Sequence, residues 1–112
     1  MTEEQFRRMA LSFPEASEGG HMGHPDFRVG GKIFATLWPK PGWAMVKLTP
    51  EQQEFFLHAE PAVFSRVEGG WGWAGATSVQ LRAAKKALLH EALLAAWRNR
   101  APKRLLKQFD SE

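Results

Sequence analysis

Between Thr2 and Phe13 the apolar side chains fall at Phe6, Met9, Ala10 and Phe13, one face of a helix. Thr2 can cap this helix, with Gln5 three residues on to close a capping box, and Pro14 ends it. The polar, glycine-rich EASEGGHMGHP that follows reads as a loop. From Asp26 the period drops to two: Phe27 and Val29 point one way, Asp26 and Arg28 the other. Gly30 and Gly31 interrupt as a hairpin bend, where glycine reaches positive φ cheaply. A second strand follows, with Ile33, Ala35 and Leu37 on one face and Phe34, Thr36 and Trp38 on the other. Both faces are bulky, which suits a central strand with Phe34 or Trp38 covering the less buried side of the sheet. Pro39–Gly42 turns the chain into a third strand, Trp43–Leu48, where Ala44, Val46 and Leu48 alternate with Trp43, Met45 and Lys47. The three strands form an antiparallel meander.

Thr49, Pro50 and Gln52 open a second helix, capped, with proline at its first position, running to about His58 or Ala59 and packing through Phe55 and Phe56. Ala62–Val67 reads as a short strand or an irregular link, GGWGWAG as a glycine-punctuated turn, and Thr77–Leu81 as extended. A long helix is expected from about Leu81 to Arg98, its buried stripe made of Ala84, Leu88, Ala92 and Ala95 and widened by Leu81, Leu89, Leu93, Ala96 and Trp97. Pro102 starts a last turn or short helix, KRLLKQF. The expected fold is α+β, a single antiparallel sheet covered by helices, and not a doubly wound nucleotide fold.

The 112 residues suit one domain, 1–112, with a modest core. The absence of cysteine excludes disulfide scaffolds, thiolate zinc sites and thiol nucleophiles. MTEEQFRRM carries acids and no long apolar run, so neither a signal peptide nor a membrane span is expected, and the expected location is cytoplasmic. Charge is uneven: residues 1–65 sum to −2 and residues 66–112 to +5. RNRAPKRLLKQ, from Arg98 to Gln108, has five basic residues and no acid, as suits a phosphate-facing surface or a solvated final helix. The chain is read as a monomer, although its charge does not forbid a dimer.

Most catalytic chemistry finds no support. Gly30-Gly31-Lys32 leads into a strand without the serine or threonine of a phosphate-binding loop, and no G-x-G-x-x-G run opens a helix. His21, His24 and Asp26 could together touch a metal, or His24 could simply hydrogen-bond the start of the sheet. The serines lack a nucleophile-elbow context, and Glu3-Glu4 and Glu15-Glu18 lie in exposed sequence. No cofactor is expected.

What remains is a set of basic and aromatic residues on hairpins and at the C-terminal end. Arg28 and Lys32 flank the first hairpin turn, Lys40 sits at the tip of the second, and Lys103, Arg104 and Lys107 lie in the final segment. Lys47, Arg66 and Arg82 are further phosphate-contact candidates. Hairpin tips of this kind serve as wings along a nucleic-acid groove. Trp43, Trp71 and Trp73 could stack on bases, with Trp73, between Gly72 and Ala74, expected to be the most exposed. The alternative is that Trp43 and Trp71 pack on the sheet.

These residues also carry a family resemblance. His24–Ala35, Gly42-Trp43 ahead of Leu48-Thr49-Pro50-Glu51, Gly69-Gly70-Trp71-Gly72 followed by Gly75-Ala76-Thr77, and Ala96-Trp97-Arg98 with Ala101-Pro102-Lys103-Arg104 together resemble the MmcQ/YjbR-like family, over about Phe6 to Leu105. Phe27, Gly30, Gly31, Lys32, Phe34, Trp43, Trp71 and Pro102-Lys103-Arg104 fall on its pattern. The resemblance implies a frataxin-like (CyaY-like) α+β arrangement, a "double wing", a DNA-binding role, no generally accepted enzyme activity and no cofactor. Where many relatives carry a basic segment near the second aromatic, this chain has Trp71-Gly72-Trp73-Ala74-Gly75, with no positive charge between Glu68 and Arg82. DNA is thus the expected partner, contacted through Arg28, Lys32, Lys40, Trp73, Lys103, Arg104 and Lys107. Two other roles stay open: an adaptor for a protein or small molecule, with tryptophans exposed around a concave sheet, and a metal-handling protein or enzyme, with His21, His24 and a carboxylate converging.

Overall fold

The computed structural model describes residues 1–21 and 23–111, and for His21 the backbone alone. The elements run α1 (Glu3–Leu11), β1 (Ser17–His21), β2 (His24–Val29), β3 (Lys32–Leu37), β4 (Trp43–Lys47), α2 (Pro50–Ala59), β5 (Phe64–Arg66), α3 (Gly70–Trp73), β6 (Ala76–Gln80), a 3-10 turn (Leu81–Ala83), α4 (Lys86–Arg100) and α5 (Lys103–Asp110). The strands form one antiparallel sheet in the order β1-β2-β3-β4-β6-β5. The three-strand meander is its middle. Both expected capping boxes form, Thr2 with Gln5 and Thr49 with Gln52.

Helices α1, α2 and α4 cover one face of the sheet. Phe27, Ala35, Val46 and Thr77 form one cross-strand row of that face, and Leu37, Ala44, Val79 and Phe64 another. Phe6 of α1 meets Phe27 edge-on, and Phe56 of α2 meets Phe64. The buried stripe of α4 is Leu89, Ala92, Leu93, Ala96 and Trp97, whereas Ala84, Leu88 and Ala95 are only partly covered. The stripe is thus turned about one position from the expected one. Its helix also starts later, because the chain makes a 3-10 turn and an extended step before Lys86. Helix α5 folds back on α4: Phe109 packs on Trp97, and Arg98 forks onto Asp110 at 2.7 and 3.1 Å.

Three sequence expectations need correction. EASEGGHMGHP is not simply a loop, since Ser17–His21 is a strand laddered to β2. Its side chains show no alternation because the backbone ladder holds it, and Gly19 leaves room for a pair of side chains: a Cβ there would stand 2.8 Å from Asp26 Oδ1. In β3 the alternation breaks. Phe27 faces Ala35 and Arg28 faces Ile33, so Phe34 is an extra, bulged residue. The bulge sends Phe34 into the core and leaves Ile33 on the open face. In α2 Phe56 is buried but Phe55 is exposed, and Gln53 takes the second inward position.

Asp26 and Arg28 pair on the open face, at 2.8 Å from Nε to Oδ1 and 3.0 Å from Nη2 to Oδ2. The Arg28 hydrogen bonds hold the Asp26 carboxyl below the usual carboxylate range, outweighing burial, which pushes the other way. Attraction to Arg28 and the Gly19 amide add to the lowering. The folded pKa lies below the unfolded value of about 3.9. The contribution of the pair is therefore complete above that value and is lost as pH falls through the folded pKa. Arg28→Met is expected to move the acid-unfolding midpoint, followed by circular dichroism, to higher pH. An unmoved midpoint would show that other carboxylates govern acid unfolding.

Candidate functional site

The face of the sheet away from the helices bears a row formed by Asp26, Thr36, Met45, Ser78 and Ser65 across the strands. Ile33, Trp38, Trp43 and Lys47 flank it, and Trp71 of α3 stands at its rim. The short α3 is placed by close backbone packing. A Cβ on Gly72 would stand 1.7 Å from the Val67 carbonyl oxygen, so only glycine lets the turn sit against Val67. From beneath, the buried Gln53 amide donates toward the Gly72 and Ala76 carbonyls and the Thr77 hydroxyl, at 3.0–3.1 Å. Residues two apart on a helix point to opposite sides, so the two tryptophans diverge. Trp71 and Trp73 are 69% and 71% exposed.

Each of these tryptophans meets a cation. Lys47 Nζ lies 4.7 Å from the Trp71 ring centre and the Arg66 guanidinium 4.6 Å from that of Trp73. A third pair, Lys40 on Trp43 at 4.9 Å, sits at the β3–β4 turn. The charges missing from the Glu68–Arg82 segment are therefore supplied by β4 and β5. The two cations under α3 differ. Arg66 is bonded to the Glu54 carboxylate and to Gln53 Oε1. Lys47 has no carboxylate partner among the described residues. Burial first, then the nearby Arg100, push its pKa below the usual lysine range.

The expected contact residues separate into groups. Arg28 is held by Asp26, and Arg104 forks onto Glu15 at 2.9 and 3.0 Å. Lys32, Lys103 and Lys107 are exposed without ion pairs among the described residues. The β2–β3 turn, with Gly30 and Gly31 at φ 58° and 78°, packs on the α4–α5 junction, where a Gly30 Cβ would be 3.1 Å from Pro102 Cδ. That contact gathers Lys32, Arg100 and Lys103 at one end of the sheet, and Asn99, bonded to the Lys47 carbonyl at 3.1 Å, ties β4 to the same end. Lys103 and Lys107, four apart on α5, share a face. Lys40 lies at the other end of β3, about 20 Å from Lys32 at strand spacing. Trp73 is on the α2 side, apart from Trp71. Sequence reasoning missed Arg100, whose signal was its place in the basic run before Pro102, and the pairing of Lys47 with Trp71, which no local pattern encodes.

Among the described residues no three His, Asp or Glu side chains come together as a metal-binding group, and the His21 side chain of the metal reading lies outside them. No helix among them is long and apolar enough to cross a membrane.

Fold and site together define an α+β protein whose six-stranded antiparallel sheet is covered by helices on one face and bears cation-topped tryptophans on the other. The YjbR family model matches residues 11–99, and the chain belongs to the YjbR family. Among solved structures it is similar to Deinococcus radiodurans protein DR2400, a DUF419 domain, with a TM-score of 0.70 and 20% identity, over 86% of this chain and 75% of that one. At that identity the likeness concerns the fold. No curated protein matches the chain.

Proposed function

We propose that this protein is a non-enzymatic DNA-binding protein whose phosphate contacts come from the end of the sheet where the β2–β3 turn meets α5. The observation that carries the reading is the grouping there of Lys32, Lys47, Arg100, Lys103 and Lys107, none of them in an ion pair among the described residues. Among the described residues most of the other arginines are matched by carboxylates, as in Arg28–Asp26, Arg98–Asp110 and Arg104–Glu15, Arg82 being an exception. Clustered cations without counter-charges repel one another, and a polyanion relieves that repulsion while releasing its own counterions.

The test is fluorescence anisotropy of labelled DNA, both single strand and duplex, against salt. Binding should weaken steeply between about 50 and 200 mM salt, each phosphate contact adding roughly 0.7–0.9 to the logarithmic slope. Lys32→Gln and Lys103→Gln should each weaken binding and flatten that slope by about one contact. Absence of binding to either DNA at low salt, or slopes untouched by both substitutions, would refute the reading.

A further inference from the structure

Two shallow grooves lie side by side on the open face of the sheet. The first, of about 260 Å³, is floored by Ile33, Met45 and Ala76 and edged by Lys47 and Trp71. The second, of about 540 Å³, lies between Trp38, Lys40, Trp43 and Ser78. Trp38 and Val67 belong to both, so the grooves form one continuous track. Each holds a tryptophan with a lysine ammonium resting on its ring, Trp71 with Lys47 and Trp43 with Lys40. Neither lysine has a carboxylate partner among the described residues, although Glu68 stands at the edge of the second groove. In the floor of the first, the buried Thr36 hydroxyl has no hydrogen-bond partner.

We propose that this track is a platform for a single strand of DNA, with unpaired bases stacked on Trp71 and Trp43 and the phosphates between them on Lys47 and Lys40. The inference rests on the DNA-binding reading and names the form of DNA that the open face takes. Two aromatic faces on one sheet surface, with free ammonium groups beside them, meet the needs of an unpaired strand, whose bases offer their own faces. A duplex keeps its bases stacked on one another and could use only the lysines. The lysines do not block the rings. A cation–π contact at an exposed site is weaker than stacking of a base on an aromatic ring, so an arriving base displaces the ammonium toward the adjoining phosphate. Trp43 and Lys47 are four residues apart on one face of β4, about 14 Å, so the track is long enough for more than one nucleotide.

Anisotropy at low salt with a labelled strand of about ten nucleotides, and with the same strand in a duplex, separates the possibilities. The strand is expected to bind at least about tenfold more tightly than the duplex, and Trp71→Ala to cost the strand about tenfold in affinity and the duplex less than about threefold. Lys47→Met should weaken strand binding and flatten its salt dependence by about one phosphate contact. Thermal melts establish that both variants fold, as suits exposed Trp71. A duplex bound as tightly as the strand, or strand affinity unchanged in Trp71→Ala, overturns the inference while leaving DNA binding in place. Failure of both DNAs to bind removes the functional reading itself and the inference with it.

Discussion

Gly72→Ala is expected to destabilise the protein by about 3 kcal/mol, a fall of roughly 10–15 °C in Tm for a domain of this size. The sign is opposite to that of an ordinary helical position, where alanine is favoured over glycine by about 1 kcal/mol. At Gly72 the new Cβ would stand 1.7 Å from the Val67 oxygen and 2.8 Å from the Val67 carbonyl carbon. Those are backbone atoms, which cannot swing away as a side-chain tip can, so α3 has to lift off the link to β5. Gly75 should tolerate alanine no better. Its Cβ would meet the Leu48 oxygen at 1.9 Å, and its φ of +118° is one that side-chain-bearing residues avoid. Gly70, in the same short helix, has open space and an ordinary φ. Gly70→Ala should therefore stay within about 0.5 kcal/mol of the parent protein. Thermal melts of the three variants make the comparison. Equal Tm values for Gly70→Ala and Gly72→Ala would show that α3 is not pinned against Val67. The same pinning holds Trp71 over Lys47, so stability and site geometry share one cause.

Gln53→Ala is the second large effect, also about 3 kcal/mol. Gln53 is 1% exposed, and its amide nitrogen faces three acceptors while its oxygen accepts from Arg66 Nε at 3.0 Å. The Gly72 and Ala76 carbonyls would not be orphaned, since each also accepts from a backbone amide, of Gly75 and Val67 respectively. With two N–H donors and one acceptor the loss is roughly 0.5–1 kcal/mol for each hydrogen bond, not the larger penalty of a stranded buried group. A cavity left beneath α3 adds to it. The Thr77 hydroxyl donates to the Gly75 carbonyl and so can only accept from Gln53, which explains why a carboxylate would not serve there. Urea unfolding with an unchanged m-value and a lowered midpoint is the expected record. A midpoint within error of the parent protein would remove Gln53 from the account of how α3 is held.

Local chemistry made much of this fold legible from the chain alone. Thr2 with Gln5 and Thr49 with Gln52 start helices where the side-chain spacing said they would, and Gly30-Gly31 makes a hairpin turn because both positions require positive φ. What stayed hidden depends on contacts between distant segments. Strand β1 has no apolar alternation because its edge position is held by backbone pairing with β2. The bulge at Phe34 reverses the faces of Ile33 and Phe34, and a strict period of two cannot express it. Nothing local marks Gln53 as buried, because its partners, Gly72, Ala76 and Thr77, lie about twenty residues onward. The candidate site was legible in composition but not in arrangement. The basic run before and after Pro102 and the exposure of Trp73 could be read directly. That Asp26 and Glu15 would occupy Arg28 and Arg104, and that Lys47 would lie on Trp71, required the tertiary fold.

The central claim is that the open face of the sheet, with the cationic end beside it, is where DNA binds. Titration of isotope-labelled protein with a single DNA strand, followed by backbone amide chemical shifts, tests it residue by residue. Shifts concentrated in Ile33–Trp38, Trp43–Lys47 and Gly70–Trp73, continuing to Lys103, are the predicted result. Shifts confined to the outer surfaces of α1 and α4, or none at saturating strand, would contradict it.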